Sequence, residues 1–156
     1  MILENVIALT HATLLNSPYV SSFSGVTLEV KNVKRGFLFI ATKSDEIDLA
    51  IQNGAYGILF DSPTQISDNE IAWIKVEDLT SALVRILRFH LLDKNISAYE
   101  CDTITFDLST QILTDNRFIP IQGDIFSVFK ELWELPQESV ILFNKNFYGN
   151  LKPYKP

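Results

Sequence analysis

Phe37-Leu38-Phe39-Ile40-Ala41-Thr42-Lys43-Ser44-Asp45-Glu46-Ile47-Asp48-Leu49-Ala50-Ile51-Gln52-Asn53-Gly54-Ala55-Tyr56-Gly57-Ile58-Leu59-Phe60 reads as strand, helix, strand. Residues 37–41 are apolar without a break, between Gly36 and the polar Thr42-Lys43-Ser44, as expected of a strand buried on both faces. Ser44 is an N-cap residue type, whose hydroxyl can accept an orphan backbone N–H. It predicts a helix over residues 45–53. Asp45, Glu46 and Asp48 put negative charge at the positive end of the helix dipole. Ile47, Ala50 and Ile51 form an i, i+3, i+4 stripe. Asn53-Gly54 supplies a left-handed stop. Residues 57–60 are a second buried strand, ended by Asp61-Ser62-Pro63. Two such strands joined through one helix imply a parallel βαβ unit with a right-handed crossover.

On the N-terminal side, residues 1–10 are apolar but too short to classify, 11–16 form a candidate strand closed by Ser17-Pro18, and 26–30 form another. On the other side the pattern recurs. Residues 71–76 read as a strand, and Asp78 caps a helix running to about residue 92. Leu79, Ala82, Leu83, Ile86, Phe89 and His90 fall on one face of that helix, and Arg85 and Arg88 lie towards its C-terminal end.

Asp93-Lys94-Asn95 is the candidate boundary. Residues 103–107 then read as a strand, Asp115-Asn116 as a turn, and 118–121 as a strand that Pro120 pushes to a sheet edge. Asp124 caps a helix carrying Ile125, Val128, Phe129 and Leu132, Pro136 ends that region, and 140–143 form a last strand. The expected organisation is a first domain at 1–92, an appended α/β unit at 93–143, and a C-terminal arm at 144–156. The arm carries Lys145, Lys152 and Lys155 with Phe147, Tyr148 and Tyr154, aromatics suited to docking on a surface.

Composition narrows the function classes. The 156 residues are 47% hydrophobic and carry a net charge of −6, which argues against a nucleic-acid partner. The one cysteine, Cys101, excludes an internal disulfide and a multi-cysteine zinc site. No stretch has the length of a membrane span, and the first residues lack the charged start of a secretory signal, so the expected location is cytoplasmic. His11 and His90 stand far apart without a motif, and His90 shares a helix face with Leu83 and Ile86, which points to packing. Glu100, Asp102 and Asp107 around Cys101 read as solvent-facing positions on a strand or as an acid cluster. Nothing basic nearby would lower the Cys101 pKa, so it reads as a small hydrophobe. Phe126, Phe129 and Trp133 lie on or near one side of the last helix and read as core, or in part as a face that meets a partner.

From about residue 12 to residue 90 the chain resembles the N-terminal, UDP-MurNAc-peptide-binding domain of the Mur ligases, in a MurE/MurF-like form. Their pattern runs Gly-Val-Ser-x-Asp-Ser-Arg and then x-Val-x-Pro-Gly-Asp-Leu-Phe-Val-Ala. Here Gly25-Val26-Thr27-Leu28-Glu29-Val30-Lys31 precedes Asn32-Val33-Lys34-Arg35-Gly36-Phe37-Leu38-Phe39-Ile40-Ala41. A family helix with Ala-x-x-x-Gly-Ala corresponds to Ala50-Ile51-Gln52-Asn53-Gly54-Ala55, and a Val-x-Val-x-Asp-x-x-x-Ala-Leu entry to Ile74-Lys75-Val76-Glu77-Asp78-Leu79-Thr80-Ser81-Ala82-Leu83. The resemblance implies an α/β fold built on the βαβ unit and a ligand site at Glu29, Lys31, Thr42, Lys43 and Ser44. There Lys31 and Lys43 would meet a diphosphate and Ser44 would offer donors at a helix N-terminus.

Two departures stand out. Asp-Ser-Arg has become Glu29-Val30-Lys31, and the family's Gly-containing loop is replaced by Thr42-Lys43-Ser44. A Mur ligase also carries a phosphate loop ending Gly-Lys-Thr, in which glycines let backbone N–H groups approach phosphates. The six glycines here are Gly25, Gly36, Gly54, Gly57, Gly123 and Gly149, and none precedes a lysine. The resulting expectation is a Mur-ligase-like module without the ATPase domain, non-catalytic, with no cofactor, no metal and no catalytic residue. Its partner would be a UDP-muramoyl peptide or a Mur enzyme of peptidoglycan synthesis. The alternative is an enzyme of unknown reaction with its site in the divergent C-terminal half.

Overall fold

The computed structural model of the chain describes residues 1–144. The chain divides into two compact units, Met1–Ile86 and Leu87–Pro156. The expected arm, with its lysines and aromatics, lies outside the described residues apart from Asn144.

The first unit is built on a five-stranded sheet. Its strands are β1 (Thr13–Leu14), β2 (Gly25–Thr27), β3 (Phe37–Ile40), β4 (Ala55–Phe60) and β5 (Ala72–Lys75), in the order β1-β5-β4-β3-β2. The expected pairing of β3 with β4 is parallel, with Leu38 opposite Gly57, Phe39 opposite Ile58 and Ile40 opposite Leu59. Neighbours β2 and β5 are parallel too, and only β1 runs the other way. Unbroken apolar runs give strands buried on both faces because successive side chains alternate sides. One face gathers Phe39, Ile58, Phe60 and Trp73 with Ile47 and Ala50 from the helix side. The alternating Leu38, Ile40, Leu59 and Ile74 are equally buried on the other. Each such aliphatic or aromatic side chain contributes about 1.5–3 kcal/mol by leaving water, so the sheet centre dominates the stability of this unit.

Trp73 needs a partner for its ring nitrogen, and its Nε1–H donates to the carbonyl of Asp68 at 2.6 Å. Its ring stands edge-on to Phe60 at 6.0 Å. Asn16 ties the end of β1 to β5, accepting the Trp73 N–H at 3.0 Å and donating to Ile71 at 2.7 Å.

Helix α1 (Leu3–Thr10) occupies the stretch too short to classify from its sequence, with Leu3, Val6 and Thr10 buried. The strand expected at 11–16 shrinks to the two residues of β1, since the chain reaches it through His11 in the left-handed conformation, φ 55°. The predicted helix at 45–53 begins as a 3-10 turn, Ser44–Glu46, before α2 (Ile47–Gln52). Gly54 ends it at φ +98°.

Helix α3 (Leu79–Leu91) begins as predicted. The Asp78 carboxylate accepts the Ser81 N–H at 2.7 Å, and hydrogen bonding by the Ser81 side chain first and its backbone N–H second holds the carboxyl below its usual range. Leu79, Ala82, Leu83 and Ile86 are buried, but Phe89 is 38% exposed, contrary to its place on the predicted stripe. Leu87 is buried in its stead, four residues and about one turn after Leu83, so the stripe turns slightly around the helix.

The second unit holds a three-stranded parallel sheet, β6-β8-β7, from β6 (Ser97–Cys101), β7 (Phe118–Ile121) and β8 (Val140–Asn144). Pro120 sits on edge strand β7, as a residue without an N–H should. Helix α5 (Ile125–Trp133) is capped by Asp124, which accepts the N–H groups of Phe126 and Ser127 at 3.0 Å each. It buries Ile125, Val128, Phe129 and Leu132 as predicted.

One element is overturned. Residues 103–107, expected as a strand, open helix α4 (Thr103–Ile112), and the strand is β6 just before. Thr103, Ile104 and Thr105 suggest a strand by propensity, yet Asp102 accepts the Thr105 N–H at 2.7 Å. That cap outweighs the few tenths of a kcal/mol by which β-branched residues disfavour a helix. Among the described residues, no helix is long and apolar enough to cross a membrane.

Candidate functional site

Glu29, Lys31, Thr42, Lys43 and Ser44 lie beyond the C-terminal ends of β2 and β3, parallel neighbours in the first sheet. That edge is where open parallel sheets bind ligands. Glu29 to Lys31 do not extend β2. The Thr27 hydroxyl accepts the Glu29 N–H at 3.1 Å, a local turn that competes with the sheet ladder, and Val30–Asn32 then form a 3-10 turn. Asn53 pins that turn, its side-chain amide donating to the Val30 carbonyl at 3.0 Å.

The electrostatics of the edge are local. Lys31 pairs with Glu29 at 3.1 Å, and Glu29 also accepts the Asn32 side-chain N–H at 3.0 Å. Lys43 pairs with Glu46 at 3.7 Å. Both cations are exposed and each has its own carboxylate beside it. The Ser44 hydroxyl does not cap α2. Ser44 lies inside the 3-10 turn, which closes through the Ile47 N–H to the Ser44 carbonyl, so its side chain is not placed ahead of the helix.

In the second unit, His90 stacks on Trp133 with ring centroids 3.8 Å apart and planes 8° from parallel. Its Nε2–H donates to the Trp133 carbonyl at 2.9 Å, the neutral tautomer assigned from that acceptor. Burial is the main cause that lowers its pKa, opposed by that hydrogen bond and reinforced by Lys94. Phe129 stacks on Trp133 as well, at 5.5 Å, whereas Phe126 is 38% exposed. Burial pushes the Cys101 thiol up, and the neighbouring Asp102 adds to it; the thiol donates to the Phe143 carbonyl at 3.5 Å. The acids flanking it do not share a strand. Glu100 is on β6, Asp102 caps α4 and Asp107 is on that helix. Among the described residues, no group of three or more His, Cys, Asp or Glu forms a metal site.

Sequence reasoning missed a pair of adjoining cavities at the opposite, N-terminal edge of the first sheet. One, of about 410 Å³, is lined by Ser22, Phe23, Ser24, Arg35, Gly36 and Tyr56. The other, of about 460 Å³, shares Ser22 and Tyr56 and extends to Tyr19 and Glu70. The available signal was Gly36 and Gly54, two turn glycines whose backbones bracket Arg35.

No protein-family model and no curated protein matches the chain. Solved structures do. MurF from Acinetobacter baumannii is similar over 92% of this chain and 35% of its own, with a TM-score of 0.64 at 14% identity. The UDP-N-acetylmuramoylalanyl-D-glutamyl-2,6-diaminopimelate–D-alanyl-D-alanyl ligase of the same organism gives 0.62 at 14% identity, over 92% and 36%. MurF ligase from Thermotoga maritima, in complex with ADP, gives 0.58 at 23% identity, over 76% and 31%. The chain thus spans about a third of the length of the MurF chains it matches. Since 92% of 156 residues exceeds the 86 of the first unit, the likeness to the first of these reaches into the second unit. The chain has the fold of part of a MurF ligase.

Proposed function

We propose that this chain is a non-catalytic, Mur-ligase-like binding or accessory module of peptidoglycan-precursor synthesis, working in the cytoplasm. The observation that carries the reading is the junction of β6 and α4. A phosphate loop is a strand, a glycine-rich turn of several residues with a Gly-Lys end, and a helix. Here β6 ends at Cys101 and α4 begins at Thr103, so Asp102 alone stands between them. The Asp102 carboxylate accepts the Thr105 N–H, one of the donors a phosphate would need. A phosphate brought there meets a like charge and no lysine from the loop.

The alternative of an enzyme in the second unit loses support from the roles of its reactive groups. His90 is engaged in a stack and a backbone bond, and the Cys101 thiol is pushed away from its nucleophilic form.

Contact falls to the edge carrying Glu29, Lys31, Thr42, Lys43 and Ser44. Because Lys31 and Lys43 each face a carboxylate, a diphosphate would have to displace two ion pairs. That favours a Mur enzyme over a free UDP-muramoyl peptide as the partner. Two titrations test the reading. Calorimetry with MgATP should give no saturable heat, and a micromolar affinity would overturn the non-catalytic assignment. Backbone amide NMR with UDP and a UDP-muramoyl peptide should show no saturable shifts at Lys31 and Ser44 at submillimolar ligand. Shifts centred there would make the module a direct precursor binder.

A further inference from the structure

Among the described residues, helix α4 buries Phe106 alone. Ile104, Leu108 and Ile112 recur every four residues and are exposed, so an apolar stripe runs the length of the helix on the side away from Phe106. The surroundings of the stripe are acidic. Between Lys94 and Arg117 the chain has no lysine or arginine, while Glu100, Asp102 and Asp107 lie just before or on α4. Asp115, the other acid in that stretch, is paired with Arg117 at 2.7 Å.

One segment of the chain fits this surface in chemistry and in reach. Residues 145–156 contain no acid and carry Lys145, Lys152 and Lys155, with Phe147, Tyr148, Leu151 and Tyr154 as apolar side chains. The segment starts beside the helix, because Asn144 at the end of β8 touches Thr103 at the start of α4. The Asn144 side-chain N–H donates to the Thr103 hydroxyl at 3.4 Å. At 1.5 Å per residue α4 is about 15 Å long, which about five extended residues span. A second copy fits the stripe less well. Two such helices face to face would bring their acids together without a cation between them. A helix face about 15 Å long and about 10 Å wide also falls far short of the roughly 800 Å² per partner of a stable interface.

We propose that residues 145–156 dock along the exposed stripe of α4, with their rings on Ile104, Leu108 and Ile112 and their lysines towards the acids beside it. Because the segment enters at Thr103, Phe147 and Tyr148 meet Ile104 and Leu108, and Tyr154 lies towards Ile112. Ordering the segment offsets much of the gain from burying its rings, so the test reads contacts rather than an unfolding midpoint. It is a nuclear Overhauser experiment on the full chain with labelled Ile and Leu methyl groups. Ring protons of Phe147 or Tyr148 should give cross-peaks to the methyls of Ile104 and Leu108, and those of Tyr154 to Ile112. Leu108→Lys sets a like charge against the lysines and should remove the cross-peaks at all three stripe positions. Leu108 is exposed, so the methyl shifts of the buried Leu132 and Ile141 should stay as in wild type and report an intact unit. Phe147→Ala combined with Tyr148→Ala leaves α4 itself untouched and should shift the Ile104 and Leu108 methyls, again without moving Leu132 and Ile141. Absence of cross-peaks from all three rings would overturn the proposal, as would cross-peaks that persist in Leu108→Lys. Cross-peaks between labelled and unlabelled copies in a mixed sample would assign the stripe to a second copy and overturn it too.

Discussion

Strands β4 and β6 are of nearly equal length and both pair in parallel, yet they are made by different physics. In β4 five of six residues are buried, and only Tyr56 is partly open. In β6, Ser97 to Glu100 are all exposed and only Cys101 is half-buried. β4 lies inside its sheet, whereas β6 is an edge held by its ladder to β8. Burial writes itself into a sequence as an apolar run. An edge strand kept by main-chain bonds leaves no such mark, because hydrogen bonding does not depend on which side chains the strand carries.

Core truncation separates the two regions most strongly. Trp73→Ala removes a fully buried ring, its hydrogen bond to Asp68 and its contact with Phe60. The expected loss is about 3–5 kcal/mol, read from the urea midpoint. Tyr99→Ala on β6, 58% exposed, should cost well under half as much. Equal losses would break the contrast between a sheet held by packing and one held by its ladder.

A smaller effect tests how tightly the first sheet is packed. A Cβ on Gly57 would lie 2.6 Å from the ring of Phe23. Gly57→Ala should therefore cost about 1–3 kcal/mol through overpacking. In the second unit the comparable lever is a cap. Asp124→Ala leaves the N–H groups of Phe126 and Ser127 without their acceptor and should cost about 1 kcal/mol. Thermal unfolding checks both, and a neutral Gly57→Ala would show that Phe23 can move aside.

The same contrast explains how much could be read in advance. Residues 37–60 gave β3, α2 and β4 with the right pairing, since apolar runs, an amphipathic stripe and Asn53-Gly54 all agreed. Asp78 and Asp124 marked helix starts because a cap is a local interaction. Asp102 is a cap of the same kind, but three β-branched or threonine positions after it obscured the signal, so α4 was read as a strand and β6 was missed. The resemblance named five residues for the edge, but it carried no sign of their ion pairs. The partner of Lys31 is two positions away and that of Lys43 three, and which carboxylate a lysine meets depends on the 3-10 turns between them. Arg35 and Glu70 are 35 positions apart in the chain, and only the parallel sheet brings their cavities side by side.

His90 makes a pH test confined to the second unit. Its folded pKa is lowered from 6.5 by burial, so below that value the unfolded chain binds more protons than the folded one. Its contribution is therefore complete above about pH 6.5 and is lost as pH falls towards the folded value. Urea midpoints should decline between pH 7 and pH 5.5, and His90→Gln should flatten that decline. The carboxylates of Asp78 and Asp115, whose pKa values are lowered by Ser81 and Arg117, act at more acid pH. Glu131, raised by burial, acts with the opposite sign and cannot cause a decline as pH falls. A slope unchanged by His90→Gln would show that the stack on Trp133 does not distinguish the protonation states.

The smallest expected effect asks whether α4 is finished. Ile104, Leu108 and Ile112 recur at four-residue intervals and are 74%, 51% and 68% exposed, while Phe106, on the other side of the helix, is buried. If water is the environment of this stripe, Ile104→Ala removes no packing. Alanine also gains a few tenths of a kcal/mol of helix propensity over isoleucine. The change should then fall between zero and a slight stabilisation, within about 0.5 kcal/mol of wild type as surface substitutions do. A loss above about 1.5 kcal/mol is the size expected when a buried aliphatic side chain is cut back. It would mean that something outside the described residues covers Ile104 in solution, and the second unit's core would have to be extended across α4. Measured beside Trp73→Ala in the same urea series, Ile104→Ala fixes the other end of the scale on which the two sheets differ.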